Sequence, residues 1–102
     1  MLAAENPERF NPDLAMSYNN AGIFYNDHVQ AKKAEKYYLK AIEIREVLAA
    51  ENPERFNPDL AVSCFNYAIF SKKNRYFDKA LDLAKTRPDH PLCRQIIKAL
   101  GK

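Results

Sequence analysis

Apolar residues recur every three or four positions along most of the chain, which is the period of one face of an α-helix. In the first such segment they are Leu14, Ala15, Tyr18, Ala21, Phe24 and Tyr25. In the second, over about residues 30–51, they are Ala34, Tyr38, Ala41, Ile42 and Leu48. No segment alternates apolar and polar residues as a half-buried strand would. The pattern predicts an all-α protein.

Polar and proline-containing stretches mark the ends of the predicted helices. In Asn11-Pro12-Asp13 and again in Asn57-Pro58-Asp59, asparagine is a good helix cap, proline fits the first helical position and aspartate favours the positive end of the helix. Proline also disfavours helix at the residue before it, so Asn52-Pro53 should end the second helix. We expect helices over about 12–25, 30–51, 58–73, 76–86 and 92–100.

The chain contains an internal repeat. The phrase LAAENPERFNPDLA begins at Leu2 and again at Leu48, an offset of 48 − 2 = 46 residues. The same register pairs Ser17 with Ser63 and Asn20 with Asn66. Because repeats of this length form architectures in which each unit packs on its neighbours, we expect a helical-repeat array.

Composition narrows the class of protein. A chain of 102 residues with 47% hydrophobic and 28% charged residues is the size of one globular domain. The net charge of +3 is too weak to indicate nucleic acid, and no signal peptide or membrane-spanning stretch is recognisable. Cys64 and Cys93 suggest reduced thiols of a cytoplasmic protein, with a disulfide between them left open.

The spacing Tyr18-x2-Ala21-Gly22-x2-Tyr25-x8-Ala34-x3-Tyr38-x2-Ala41 resembles the tetratricopeptide repeat. The second unit, Cys64-x2-Tyr67-Ala68-x2-Ser71-x8-Ala80-x3-Ala84, is a degenerate version. The long unit is similar to the repeats of kinesin light chain. The resemblance implies a single domain over 1–102, with an inter-repeat joint at 1–10, a first repeat at 11–52, a degenerate second repeat at 57–87 and a capping helix at 89–100.

Repeats of this family bind peptides or partner proteins on the concave surface lined by their first helices. Carried over position by position, the resemblance nominates Met16, Asn19, Asn20, Ile23, Asn26 and Asp27 in the first repeat, and Val62, Phe65, Asn66, Ile69, Lys72 and Lys73 in the second. The amides of Asn20 and Asn66 can both donate and accept hydrogen bonds, which suits a peptide backbone. Each asparagine can instead bond between helices or face water.

A second hypothesis is self-association. Each repeat buries its apolar face against a neighbour, so the open end of the first repeat should leave Tyr18, Ala21 and Tyr25 partly uncovered. Residues 1–10 can fold over that face or pair with a second chain, and the chain is either a piece of a longer array or a small protein. The basic turn of Lys72, Lys73 and Arg75 can attract an acidic peptide or simply form a solvated loop, and a weaker alternative is nucleic-acid binding through the same three residues.

Residues for catalysis do not assemble in the sequence. His28 and His90 fall in predicted turns with no acid or nucleophile at a compelling spacing, and Glu8 and Glu54 are equivalent copies in the two joints. There is no glycine-rich phosphate loop and no metal-ligand spacing. We therefore expect no enzymatic activity, no cofactor and no bound metal.

Overall fold

The computed structural model describes residues 12–101, and this part of the chain is helical with no strand. The all-α prediction is confirmed. The predicted joint at 1–10 and the predicted cap Asn11 lie outside the described residues. The helices are α1 (Pro12–Asp27), α2 (Ala31–Glu51), α3 (Pro53–Ser71), α4 (Asn74–Lys85) and α5 (Pro91–Leu100).

Each helix packs against the next one in sequence, and α5 also reaches back to α3. The helices α2 and α3 run antiparallel: Glu35 near the start of α2 contacts Tyr67 near the end of α3, whereas Arg45 further along α2 contacts Asp59 early in α3. The shortest dimension of the molecule is 20 Å, about two helix diameters. The helices therefore form two layers.

The third helix begins five residues earlier than the sequence predicts. Its cap is Asn52, whose side-chain oxygen accepts a hydrogen bond from the Arg55 N–H at 3.4 Å, and Pro53 occupies the first turn. The prediction that this helix starts at Pro58 is therefore wrong. The Asn-Pro signal was real, but it occurs twice within the seven residues 52–58, and the first occurrence starts the helix.

Pro58 is accommodated inside α3 because another part of the chain replaces its missing donor. Proline has no N–H, so the carbonyl oxygen of Glu54, four residues earlier, loses its helical partner. The guanidinium of Arg87, in the turn between α4 and α5, donates to that carbonyl. Asn57 does not cap a helix; its side-chain amide donates to the Thr86 hydroxyl at 3.1 Å.

The ring of Tyr38 connects the first three helices. It lies against Gly22 of α1, so closely that a Cβ atom added to this glycine would be 2.8 Å from the ring carbon Cδ1. On its other side the ring centroid is 5.2 Å from that of Phe70 and 6.2 Å from that of Tyr67, both in α3. Tyr38 itself is only 4% exposed. One side chain of α2 thus packs against both neighbouring helices.

Elsewhere in the core, small side chains let the helices approach closely. Cys64 and Cys93 are also buried, and both are free thiols, so neither forms a disulfide. Burial raises the pKa of Cys64 to about 11, which keeps this thiol protonated and unreactive near neutral pH. The fully buried alanines are Ala15, Ala34, Ala41, Ala61, Ala68, Ala80 and Ala84.

The turn between α1 and α2 contains a residue in a strained backbone conformation. Val29 has φ of 57°, in the left-handed region, and its side chain is 90% exposed. A β-branched residue is disfavoured there because its Cβ substituents crowd the backbone. Because the side chain packs against almost nothing, the strain has little compensation at this position.

Replacing Gly22 with alanine should destabilise the fold. The added methyl group meets the Tyr38 ring, and overpacking of about 1–3 kcal/mol exceeds the helix-propensity gain of about 1 kcal/mol. We expect Gly22→Ala to lower the free energy of unfolding by up to about 2 kcal/mol in urea denaturation. The same substitution in a Tyr38→Leu background should cost less, because the ring is absent. Equal costs in both backgrounds would contradict this account of the packing.

Replacing Val29 should have the opposite sign. Asparagine tolerates the left-handed conformation, so Val29→Asn should raise the free energy of unfolding by about 1 kcal/mol. Val29→Ala, which removes the β-branch but keeps a Cβ atom, should give a smaller gain. Thermal and urea unfolding of the three proteins measure this order, and an asparagine variant less stable than the parent would refute it.

Candidate binding surfaces

A stripe of equivalent positions follows the exposed side of α1 and of α3. In each helix the members are spaced four and then three residues apart, which places them on one face. The offset of 46 residues relates the two sets. We name this surface the first-helix stripe; its members are Met16, Asn20 and Ile23 on α1 and Val62, Asn66 and Ile69 on α3.

The first-helix stripe combines exposed apolar groups with amides. Met16 and Ile69 are each 54% exposed and Ile23 is 39% exposed. Asn20 is exposed and Asn66 is half-buried, each between two apolar members of its helix. Such a surface offers apolar contact for side chains and an amide donor and acceptor for a backbone.

Two of the predicted binding residues lie away from this surface. Asn19 is only 7% exposed, on the same side of α1 as the buried Ala15 and Gly22, and its side-chain oxygen is buried without a hydrogen-bond partner. Phe65 is half-buried and packs edge-to-face on Phe77 of α4, with ring centroids 6.2 Å apart. Both positions lie one residue before an asparagine of the stripe, which turns them by about 100° toward the partner helix.

The remaining predicted residues lie at the ends of the two first helices. Asn26 and Asp27 are exposed in the last turn of α1, and the Asn26 carbonyl accepts a hydrogen bond from the Val29 N–H at 3.1 Å. Lys72 ends α3 in the left-handed conformation, with φ of 62°. The ammonium of Lys73 lies 5.9 Å from the ring centroid of Tyr67. These two lysines favour the negative end of the α3 dipole, a structural role that needs no ligand.

A second surface is formed by three stacked tyrosines, which we name the tyrosine ladder. The ring of Tyr37 from α2 lies between Tyr18 and Tyr25 of α1, with ring centroids 5.7 and 5.5 Å away and interplanar angles of 22° and 14°. All three tyrosines are half-buried, as is Ala21. The three residues predicted for self-association therefore share one partly exposed face of the first helix pair.

Lysines border the tyrosine ladder. The ammonium groups of Lys33, Lys36 and Lys40 lie 5.4, 5.8 and 5.7 Å from the ring centroids of Tyr25, Tyr37 and Tyr18 respectively. Cations over aromatic rings at such distances are attracted by the ring quadrupole. The face is therefore aromatic at its centre and positive at its border.

Between α2 and α3 lies a buried polar junction. Arg45 of α2 is only 6% exposed, and one guanidinium nitrogen donates to the Ser63 hydroxyl at 2.7 Å and to the Asp59 carbonyl oxygen at 3.1 Å. Burial lowers the pKa of Arg45, and the negative charge of Asp59 opposes that shift. Even so, arginine stays protonated, since its ordinary pKa is above 12. The junction therefore buries a cation between two helices.

A second polar contact joins the same two helices. The Tyr67 hydroxyl donates to a Glu35 carboxylate oxygen at 2.8 Å. Burial, with the hydrogen bond to Glu35, raises the pKa of Tyr67 to about 12. The folded protein therefore binds this proton more tightly than the unfolded chain does, so the contact stabilises the fold fully below about pH 10 and less as the pH rises toward 12.

No motif in the sequence points to Arg45 or Glu35. A signal for Arg45 was present: it lies four residues after Ala41 and seven after Tyr38, on the apolar stripe of its helix, where a charge needs buried partners. Glu35 gave no such signal, because it follows Ala34 at the border of that stripe.

The two histidines make local backbone contacts. The Nδ1 atom of His28 bonds to the Phe24 carbonyl oxygen at 2.8 Å, and Nδ1 of His90 accepts from the Leu92 N–H at the start of α5. Over residues 12–101, no three acidic, histidine or cysteine side chains form a metal-binding group. An open depression of about 470 Å³ on the outer side of α4 is lined by Arg75, Asp78, Lys79, Asp82, Leu83 and Thr86.

Comparison with known proteins gives no relative for this chain: no family model, curated protein or solved structure matches it significantly. Among the helices that the structure describes, none has both the length and the apolar character to cross a membrane.

The buried junction generates a stability prediction with an internal control. Ser63→Ala removes a hydrogen bond to a buried charge, so we expect the free energy of unfolding to fall by about 1.5–3 kcal/mol. Ser17→Ala, at the equivalent but exposed position in α1, should change it by less than about 0.5 kcal/mol. Urea denaturation measures both, and equal effects would show that Arg45 does not depend on Ser63.

Proposed function

We propose that this protein is a non-enzymatic interaction module that binds a peptide or a partner protein on the first-helix stripe. The proposal includes a tetratricopeptide-like organisation, with α1–α2 and α3–α4 as two helix pairs and α5 as a capping helix. A cytoplasmic location fits the two free, buried thiols.

The packing supports the repeat organisation. Gly22 and Ala34, the small residues of the motif, are both buried, and Tyr38 of the motif fills the space between successive helices. In the second unit, the residues equivalent to Gly22 and Tyr38 are both alanines, Ala68 and Ala84. A small–large pair in one unit and a small–small pair in the other suit a degenerate second repeat.

The observation that carries the binding proposal is the matched composition of the stripe on two helices. Apolar, amide and apolar residues follow in the same order on α1 and α3, and both isoleucines are exposed. An exposed isoleucine contributes nothing to a monomer's core, whereas a bound peptide would cover it. An asparagine between the apolar residues supplies donors and acceptors for the peptide backbone.

The test is selection of a displayed library of random peptides on the full chain, followed by titration of an enriched peptide. We expect Asn20→Ala with Asn66→Ala to weaken binding by about tenfold, since two hydrogen bonds of modest strength are lost. Gln95→Ala on the exposed side of α5 is the matched control and should bind as the parent does. Enriched peptides that bind the double variant unchanged would refute the proposal.

The tyrosine ladder supports a second candidate, self-association through this face. Partly exposed tyrosines are common at interfaces, because they bury large area at low entropic cost. A symmetric pair would bring the same patch of both copies together, including the bordering lysines. Their mutual repulsion should weaken the pair at low salt.

Light scattering across a dilution series tests the second candidate. A dimer formed through the ladder should strengthen as salt rises from 50 to 500 mM, on the order of several-fold, because salt screens the lysines. Tyr18→Glu and Tyr25→Glu should each abolish the dimer. Tyr76→Glu is not a suitable control, because the Tyr76 ring packs on Tyr67 and its loss would disturb the fold. A monomer at every concentration and salt would exclude this candidate.

A further inference from the structure

The internal repeat provides one helix face in two environments. In α3, Ser63 faces α2 through its bond with Arg45 and is 1% exposed, and Pro58 and Leu60 of the same helix are also buried. In α1, the equivalent Pro12 and Ser17 are exposed. The same residue types at the same spacing are therefore covered by a helix in one unit and open in the other. The equivalent pairs are Pro12 and Pro58, and Ser17 and Ser63, whereas Leu14, the equivalent of Leu60, is half-buried and packs against the core.

In the second unit, α2 covers this face and presents two adjacent charged residues, Arg45 and Glu46. Arg45 donates to the Asp59 carbonyl and the Ser63 hydroxyl, and the adjacent Glu46 forms an ion pair with Lys79 of α4. The two neighbouring side chains thus reach different helices of the next unit.

The first helix pair carries the same set of partners. The carbonyl of Asp13 and the hydroxyl of Ser17 are the equivalents of the two acceptors of Arg45, and Lys33 is the equivalent of Lys79. Ser17 and Lys33 are both exposed. An incoming helix with an Arg-Glu pair in this register would meet an acceptor for its arginine and a cation for its glutamate.

We infer that the outer face of α1 binds the second helix of another repeat of the same kind, one that presents an Arg-Glu pair in the register of Arg45 and Glu46. The arginine donates to the Asp13 carbonyl oxygen and the Ser17 hydroxyl, and the glutamate pairs with Lys33. This face borders the first-helix stripe, since Ser17 lies three residues before Asn20 on the same helix. The inference concerns packing by a repeat helix and does not depend on peptide binding to the stripe.

The charges and the burial argue for a repeat helix as the occupant over a second folded copy of this chain. In the folded chain Arg45 is 6% exposed and already bonded to α3, so an intact copy has no such pair to offer. Two intact copies would instead oppose their bordering lysines. The second helix of another repeat, joined to this chain in the same register, would bring the Arg-Glu pair without any part of the protein unfolding.

The internal repeat allows the chain to be extended without a foreign linker. Leu2 begins the same segment as Leu48, so Val47 of an added copy can be joined directly to Leu2. A second copy of residues 2–47 is placed before Leu2 of the full chain, after an initiating methionine. In this extended chain we expect Ser17→Ala, in the original copy, to lower the equilibrium constant for folding by about tenfold or more, as Ser63→Ala does. In the parent chain Ser17→Ala should be neutral.

A double-mutant cycle separates the bond from general effects of the extension. Arg45→Met in the added copy should remove most of the cost of Ser17→Ala, and Lys33→Met should be coupled to Glu46→Gln of the added copy in the same way. Hydrogen exchange of α1 amides should slow in the extended chain.

Three results would overturn the inference. The first is a Ser17→Ala variant that is as neutral in the extended chain as in the parent. The second is additivity of Ser17→Ala and the added copy's Arg45→Met. The third is a dimer of the parent chain that Ser17→Arg disrupts, since that result would assign the face to a second copy.

Discussion

The contact between Gly22 and the ring of Tyr38 sets the spacing of the first three helices. Because glycine has no side chain, α1 can approach α2 until the tyrosine ring lies on its backbone. The ring then extends beyond its own helix pair to reach Tyr67 and Phe70 of α3. A smaller residue at position 38 would leave a cavity between three helices, and a larger one at position 22 would separate α1 from the ring.

Polar contacts fix the register that this packing allows. Apolar surfaces of helices are tolerant of sliding, whereas a buried guanidinium is stable only where acceptors face it. Arg45 meets the Ser63 hydroxyl and the Asp59 carbonyl at one register of α2 against α3. The bond from Tyr67 to Glu35, at the other end of the same pair, is compatible with the same register. The interface is therefore specified at both ends.

The two copies of the repeat show how neighbours change the role of a residue. Ser63 holds a buried cation, whereas Ser17, in the same register, faces solvent. The difference lies in what packs against each helix, since both serines follow the same phrase at the same distance. The open face of α1 and the exposed stripe are consequences of one arrangement: consecutive helices cover one another on some sides and leave others uncovered.

The sequence by itself determined the helices and their buried sides, because the three- and four-residue period of apolar positions reflects only local geometry. It also indicated the stripe that contains Asn20 and Asn66, because the 46-residue offset between the two copies can be read directly from the sequence. It misplaced the start of α3, and it did not reveal that Asn19 is buried or that Phe65 packs on Phe77. Only the tertiary structure decided these points. Pro58 stays within a helix because Arg87, nearly thirty residues away, supplies a donor to the Glu54 carbonyl, and no local pattern records a contact between such distant parts of the chain.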